Sequence, residues 1–347
     1  MVTEVQNQIL KVRNPDISSK VLVLLGPTAS GKTQLSLSIA TALDGEIISA
    51  DSRQVYKFLD IGTAKPTVDE RKRVKHYFID ELLPDQEFNA GEFGKKGRLI
   101  IDDIIKRNKI PIVVGGSGLY IKALVDGLFE GPTSDKTIRH HLFHRLKIEG
   151  SEKLLEELRS VDPTAAEKML PSNTRRIIRA LEVYQLTGTP ISELQKSRIP
   201  INFSAVFVGL NWERKQLYER INKRVDCMLK EGLIEEVKDL ISKGYSQELN
   251  SLQTVGYKEV FDFIQGKIDY QQMVTLIKRN TRRFAKRQLT WFRHDARITW
   301  FDVSNESEFE KVGGKICDYF LSSGRADSNR RPLGPEPSAL AGLSHAP

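Results

Sequence analysis

The chain has 347 residues, 28% of them charged and 39% hydrophobic, with 53 Lys and Arg against 45 Asp and Glu for a formal charge of +8. That apolar content excludes disorder throughout, and the length exceeds the ~150 residues usual for one domain, so a large core with an inserted or appended module is expected. No run of about 18 apolar residues occurs and residues 1–20 lack the features of a secretory signal, so a cytoplasmic protein with no membrane partner is expected.

Residues 1–20 are polar and read as a flexible leader. Lys20 to Leu25 is an apolar, β-branched run ending in Gly26-Pro27, and Gln34 to Leu43 continues at helical spacing, which predicts strand, loop, helix. Glu46 to Ala50 and Ile110 to Val114 are further apolar strands, with a helix between them over Glu92 to Arg107. Apolar strands alternating with helices imply a parallel sheet covered on both faces. The fold class is α/β. From Lys136 the texture changes: Arg139 to Leu146, Ser151 to Val161, Thr164 to Leu170 and Thr174 to Leu186 are helical segments broken by Gly150, Asp162-Pro163 and Pro171. Phe203 to Leu210 then returns as a strand. Residues 136–200 are therefore read as an all-helical insertion in a core formed by 21–135 and 201–321. Helices over Arg214 to Glu231, Leu233 to Lys243, Tyr257 to Gln265 and Tyr270 to Arg293 complete that core, and 322–347 read as a disordered tail.

Gly26-Pro27-Thr28-Ala29-Ser30-Gly31-Lys32-Thr33 satisfies GxxxxGK[ST] between a strand and a helix. The glycines let backbone amides turn inward on a phosphate, Lys32 reaches an outer phosphate, and the Thr33 hydroxyl suits Mg²⁺. The usual second strand ending in an Asp is missing, because Ile110 to Val114 runs into Gly115-Gly116-Ser117-Gly118. The strand-terminal acid is instead Asp51, followed by Ser52, Arg53 and Gln54, at the strand end where ligands of such sheets bind. It can hold Mg²⁺ or act as a base. His140, His141 and His144 share a helix face but have no nearby acid, and read as solvated surface. Cys227 and Cys317 show no CxxC spacing.

Gly26 to Thr33, Asp51-Ser-Arg-Gln-Val-Tyr56, Asp60-Ile-Gly-Thr-Ala-Lys-Pro66, Gly115 to Tyr120, Arg179-Ala-Leu-Glu-Val183, Gly256-Tyr-Lys-Glu259 and Arg287-Gln-Leu-Thr-Trp-Phe-Arg293 occur in order. From Val21 to Phe301 this series resembles the motifs of the bacterial tRNA dimethylallyltransferases, or tRNA isopentenyltransferases. The resemblance implies a P-loop NTPase-like core whose loop holds the diphosphate of dimethylallyl diphosphate rather than ATP. It implies transfer of the dimethylallyl group to N6 of the adenine just 3′ of the anticodon, in tRNAs reading codons that start with U. By the same resemblance Asp51 takes the N6 proton, and Ser117, standing where the family often has Thr, bonds at the transfer site. Lys32, Thr33 with Mg²⁺, and Arg224 or Arg220 neutralise the leaving group, with Arg224 preferred; Lys65, a loop lysine, is either near the site or merely solvated. Eukaryotic relatives carry a C-terminal zinc finger for which this chain lacks cysteines, so a bacterial origin is expected.

The tRNA anticodon stem-loop is the expected macromolecular partner, and a monomer the expected state. Lys278, Arg279, Arg282, Arg283, Lys286, Arg287 and Arg293 form the densest basic segment, with Ile277, Phe284 and Leu289 as its apolar counterpart. The resemblance adds Asp51 to Gln54, Ser117, Arg139, Arg175, Arg176, Arg179, Gln253, Gly256 and Tyr257 as tRNA contacts. Three other functions fit parts of the pattern: a small-molecule kinase, a free-nucleotide isopentenyltransferase, and a noncatalytic RNA-binding protein.

Overall fold

The computed structural model describes residues 19–127, 135–196 and 201–323. Almost all of the expected leader and tail lies outside them. Six parallel strands form one sheet: β1 (Lys20–Leu25), β2 (Gly45–Ala50), β3 (His76–Tyr77), β4 (Ile110–Gly115), β5 (Ser204–Trp212) and β6 (Thr299–Val303). Their spatial order is β3-β2-β4-β1-β5-β6. β1 is buried along its whole length. Its alternate residues serve opposite faces, Val21, Val23 and Leu25 joining one apolar core and Leu22 and Leu24 the other. This two-sided burial explains why the strand reads as a continuous apolar run.

Helices α1 (Lys32–Leu43) and α2 (Val68–Arg73) follow β1 and β2 in the chain, and α3 (Ala90–Lys106) and α4 (Gly118–Val125) flank β4. The inserted region contains α5 (Lys136–Val161), α6 (Pro163–Ala166), α7 (Thr174–Thr187) and α8 (Ile191–Leu194). α5 kinks at Gly150, whose φ of 83° is left-handed. Leu142, Leu154, Leu158, Ile177 and Leu181 give these helices an apolar core of their own. After β5 come α9 (Arg214–Lys230), α10 (Leu233–Ser242), α11 (Tyr257–Ile264) and α12 (Tyr270–Arg293), and after β6 comes α13 (Phe309–Ser322).

Register decides where chemistry can occur. Leu25 pairs with Gly115 on one side and Gly209 on the other, and Ala50 also pairs with Gly115. The chain therefore leaves β1, β2 and β4 at one level. Gly26, Asp51 and Gly116, each the next residue, lie side by side at the carboxyl edge of the sheet.

Candidate active site

Residues 26–33 turn from β1 into α1 with Ala29 (φ 64°) and Gly31 (φ 86°) in left-handed conformations. The carbonyls of Ala29 and Ser30 accept hydrogen bonds from Arg220 Nε (2.8 Å) and the Trp212 indole (3.0 Å). Gly31 starts α1 without a side-chain cap. The first helical amides are thus left for an anion. Gly31 must also be glycine for space, since a Cβ there would lie 2.1 Å from the Phe309 ring at the start of α13. Lys32 Nζ donates to the carbonyls of Gly26 (3.0 Å) and Pro27 (2.7 Å). Burial and the nearby charge of Arg224 push its amine down to about 7, against the opposing pull of Asp51.

The loop opens on a cavity of 610 Å³ lined by Thr28, Lys32, Thr33, Asp51 to Gln54, Gly115 to Leu119, Arg224, Gln253 to Gly256, Arg287, Gln288 and Trp291, among others. One Asp51 oxygen accepts the Arg53 amide (2.9 Å), an Asx turn that aims the strand end into this cavity. Ser117 is the N-cap of α4, yet its hydroxyl makes no capping bond. Arg224 is pushed down by burial, with Asp51 pulling the other way and Arg220 adding to the depression. Of the two arginines left open by the sequence, Arg224 lines the cavity and Arg220 does not. Arg220 braces the loop from behind, paired with Glu306 and stacked 4.3 Å from the Trp212 ring. Thr33 lines the cavity, and its hydroxyl has no hydrogen-bond partner among the described residues, which suits an oxygen ligand for Mg²⁺.

The segment Asp60 to Pro66 forms one wall. Its first three amides converge on Glu236 of α10, with Asp60 N (2.9 Å), Ile61 N (2.7 Å) and Gly62 N (3.1 Å) donating and the Tyr257 hydroxyl adding a fourth bond (2.6 Å). Two expectations are corrected here. Tyr257 is fully buried, and its hydroxyl is held by Glu236, so it cannot reach a macromolecule directly. Lys65 is neither solvated nor in the cavity; its side chain is 2% exposed and is bound by the Tyr56 carbonyl (2.9 Å), Asp60 and Asp80. Both residues shape the wall. Gln54 joins in, accepting from Ser49 Oγ (2.9 Å) and donating to the Thr63 carbonyl (3.2 Å).

The basic segment on α12 divides in two. Lys278 pairs with Asp226 (2.6 Å) and Arg282 donates to Asn222 (2.6 Å), both on α9. Arg279, Arg283, Lys286, Arg287 and Arg293 face solvent. The buried face is Met273, Ile277, Ala285, Gln288 and Phe292. Phe284 was expected on that face but is 41% exposed at the cavity mouth, where the helical phase carries it. On the insertion Arg175 and Arg176 are exposed, whereas Arg139 (3.1 Å) and Arg179 (3.0 Å) share the fully buried carboxylate of Glu182. Sequence reasoning passed over Gln288. Its side chain accepts from the Thr28 amide (2.9 Å) and donates to the Gly116 carbonyl (2.9 Å). The available signal was its place beside Arg287, inside a motif that carried the family resemblance but whose only residues given a role were the basic ones.

A phosphate loop on a central strand, with a carboxylate two strands away at the same edge of the sheet, defines the class: an α/β protein of the P-loop type. Residues 54–295 match the family described as IPP transferase, and the chain belongs to that family. It is 45% identical over 308 residues to a tRNA dimethylallyltransferase of Thermoanaerobacter sp. (strain X514), covering 86% of this chain and 97% of the relative. It is 48% identical over 296 residues to a tRNA dimethylallyltransferase of Thermotoga maritima, covering 85% and 94%. Among solved structures, the full-length tRNA isopentenylpyrophosphate transferase from Bacillus halodurans superposes with a TM-score of 0.66 at 38% identity, over 90% of this chain and all of that one. A eukaryotic dimethylallyltransferase acting on tRNA gives 0.75 at 29% identity, over 88% and 80%.

Proposed function

We propose that the protein transfers the dimethylallyl group of dimethylallyl diphosphate to N6 of the adenine 3′ of the anticodon in tRNAs that read codons starting with U, releasing diphosphate. One observation carries this reading. Lys32 and Arg224, two half-buried cations both held below their ordinary range, Lys32 in part by the charge of Arg224, converge with Asp51 on the cavity above the phosphate loop. Such a pair is stabilised when a polyanion lies between its members. The cavity volume is in the range of small-ligand sites.

The chemistry follows from the donors present. The lone pair of N6 is delocalised into the purine ring, so attack on the allylic C1 needs a base and a stabilised leaving group. The N6–C1 bond forms as the C1–O bond breaks. The N6 proton passes to Asp51, and the oxygen that leaves carries its charge to Lys32, Arg224 and the open amides of α1. Ser117, with its hydroxyl unused as a cap, hydrogen-bonds at the transfer site. Mg²⁺ held by Thr33 would supply further neutralisation of the diphosphate. A base buried in a stacked loop must be flipped out to enter, and the exposed cations of α12 with Arg175 and Arg176 of the insertion would hold the flanking backbone. No helix among the described residues is long and apolar enough to cross a membrane. The proposed action is on tRNA in the cytoplasm, by a monomer.

Incubation with dimethylallyl diphosphate and either tRNA or AMP, followed by mass spectrometry of the nucleosides, tests this. A prenylated tRNA base is expected. Prenyl-AMP without prenyl-tRNA, or transfer of labelled γ-phosphate from ATP, would replace this reading with the free-nucleotide enzyme or the kinase.

A further inference from the structure

Two glycine-rich segments face each other across the carboxyl edge of the sheet, one leading into α1 and one into α4. A single side chain from α12 joins them. Gln288 is 8% exposed, accepts the Thr28 amide through Oε1 (2.9 Å) and donates through Nε2 to the Gly116 carbonyl (2.9 Å). An amide of this length accepts from one loop and donates to the other; ionised Glu lacks the donor, and Met has no donor and only a weak acceptor. The backbone has made room for it. A Cβ at Gly116 would lie 2.2 Å from Gln288 Nε2, although Gly116 has no left-handed φ that would itself require glycine.

On the reading of the previous section, Thr28 belongs to the donor side of the pocket and Ser117, the residue after Gly116, to the acceptor side. We infer that Gln288 is a positioning residue for the transfer, fixing the distance between the phosphate cradle and the acceptor-side turn. It lies next to Arg287, which faces solvent on the basic side of α12. The helix that presents cations to tRNA therefore also sets the loop that holds the donor. The two substrates meet at a separation fixed by one amide.

The test uses Q288E and Q288M in the full chain, with rates normalised to the tRNA-binding fraction. Donor-free tRNA affinity should stay within about twofold of wild type, because the solvent-facing cations are untouched. The single-turnover rate at saturating substrates should fall about tenfold or more in both variants, as when a well-aligned hydrogen bond is lost from the transition state. A merely structural role would lower the melting temperature and the active fraction but leave the rate per active site unchanged. G116A supplies an independent arm. It should slow transfer when Gln288 is present and have little further effect in Q288A, where the side chain it strikes is gone. Wild-type rates per active site in Q288E and Q288M, or additive losses in the G116A/Q288A pair, overturn the inference. Absence of transfer by the wild-type chain would instead overturn the proposed function.

Discussion

Asp51 uses one carboxylate oxygen on the Arg53 amide, and its other oxygen has no hydrogen-bond partner among the described residues. Asp51→Asn keeps the turn but cannot take a proton. Its single-turnover rate should fall by about 10²-fold or more while tRNA affinity changes little, a split that rapid-quench and filter-binding assays resolve. Lys32 makes a second prediction. Its amine is held at about 7 in the donor-free site, below its ordinary 10.5. Above pH 7 that site is increasingly neutral, and a diphosphate that restores the cation must take up a proton. Donor affinity should therefore weaken as pH rises above about 7 and level off below it. Calorimetry at pH 8 in buffers of different ionisation enthalpy should show uptake approaching one proton, lost in Lys32→Met. Before binding, the same depression works against the folded state at low pH: between 7 and 10.5 the unfolded chain binds more protons, so this contribution to stability improves as pH rises.

At the scale of elements, Glu236 ties α10 to the wall that faces the phosphate loop. Tyr257→Phe removes one of its four donors and should cost about 1 kcal/mol in denaturant unfolding. It should leave tRNA affinity unchanged, in contrast to what a direct contact would show. Strands such as Lys20 to Leu25 were legible in the sequence because burial on both faces leaves an unbroken apolar run. Long helices were legible because Met273, Ile277, Ala285 and Phe292 repeat at helical spacing. The pair His76–Tyr77, α2 and α4 were not. Two residues cannot display a period, and Gly118 to Val125 is apolar enough to read either way. Thr299–Val303 and α13 also went unread, since β6 is only half-buried at the sheet's edge. Within the site, the loop and Asp51 announced themselves by type and place. Gln288, Glu236 and the inward turn of Lys65 depend on partners at sequence distances of 260, 176 and 15 residues. No local pattern records such partners.

For the whole molecule, the net charge of +8 is a poor guide to where nucleic acid would bind, because basic residues divide between scaffold and surface. Arg283→Ala, with its guanidinium in solvent, should reduce the salt slope of tRNA binding by about one. Lys278→Ala should leave that slope alone and instead lower stability, since its amine is committed to Asp226 across the α9–α12 contact. Salt titration and thermal melts on the two variants separate these roles. Phe309 and Glu306, which back Gly31 and Arg220, come from the far end of the described chain. A ribosome making this protein therefore exposes the phosphate loop long before the residues that support it emerge. The nascent chain should acquire its grip on diphosphate only when translation is almost over, and shortened products ending before residue 306 should be unable to sequester the isoprenoid.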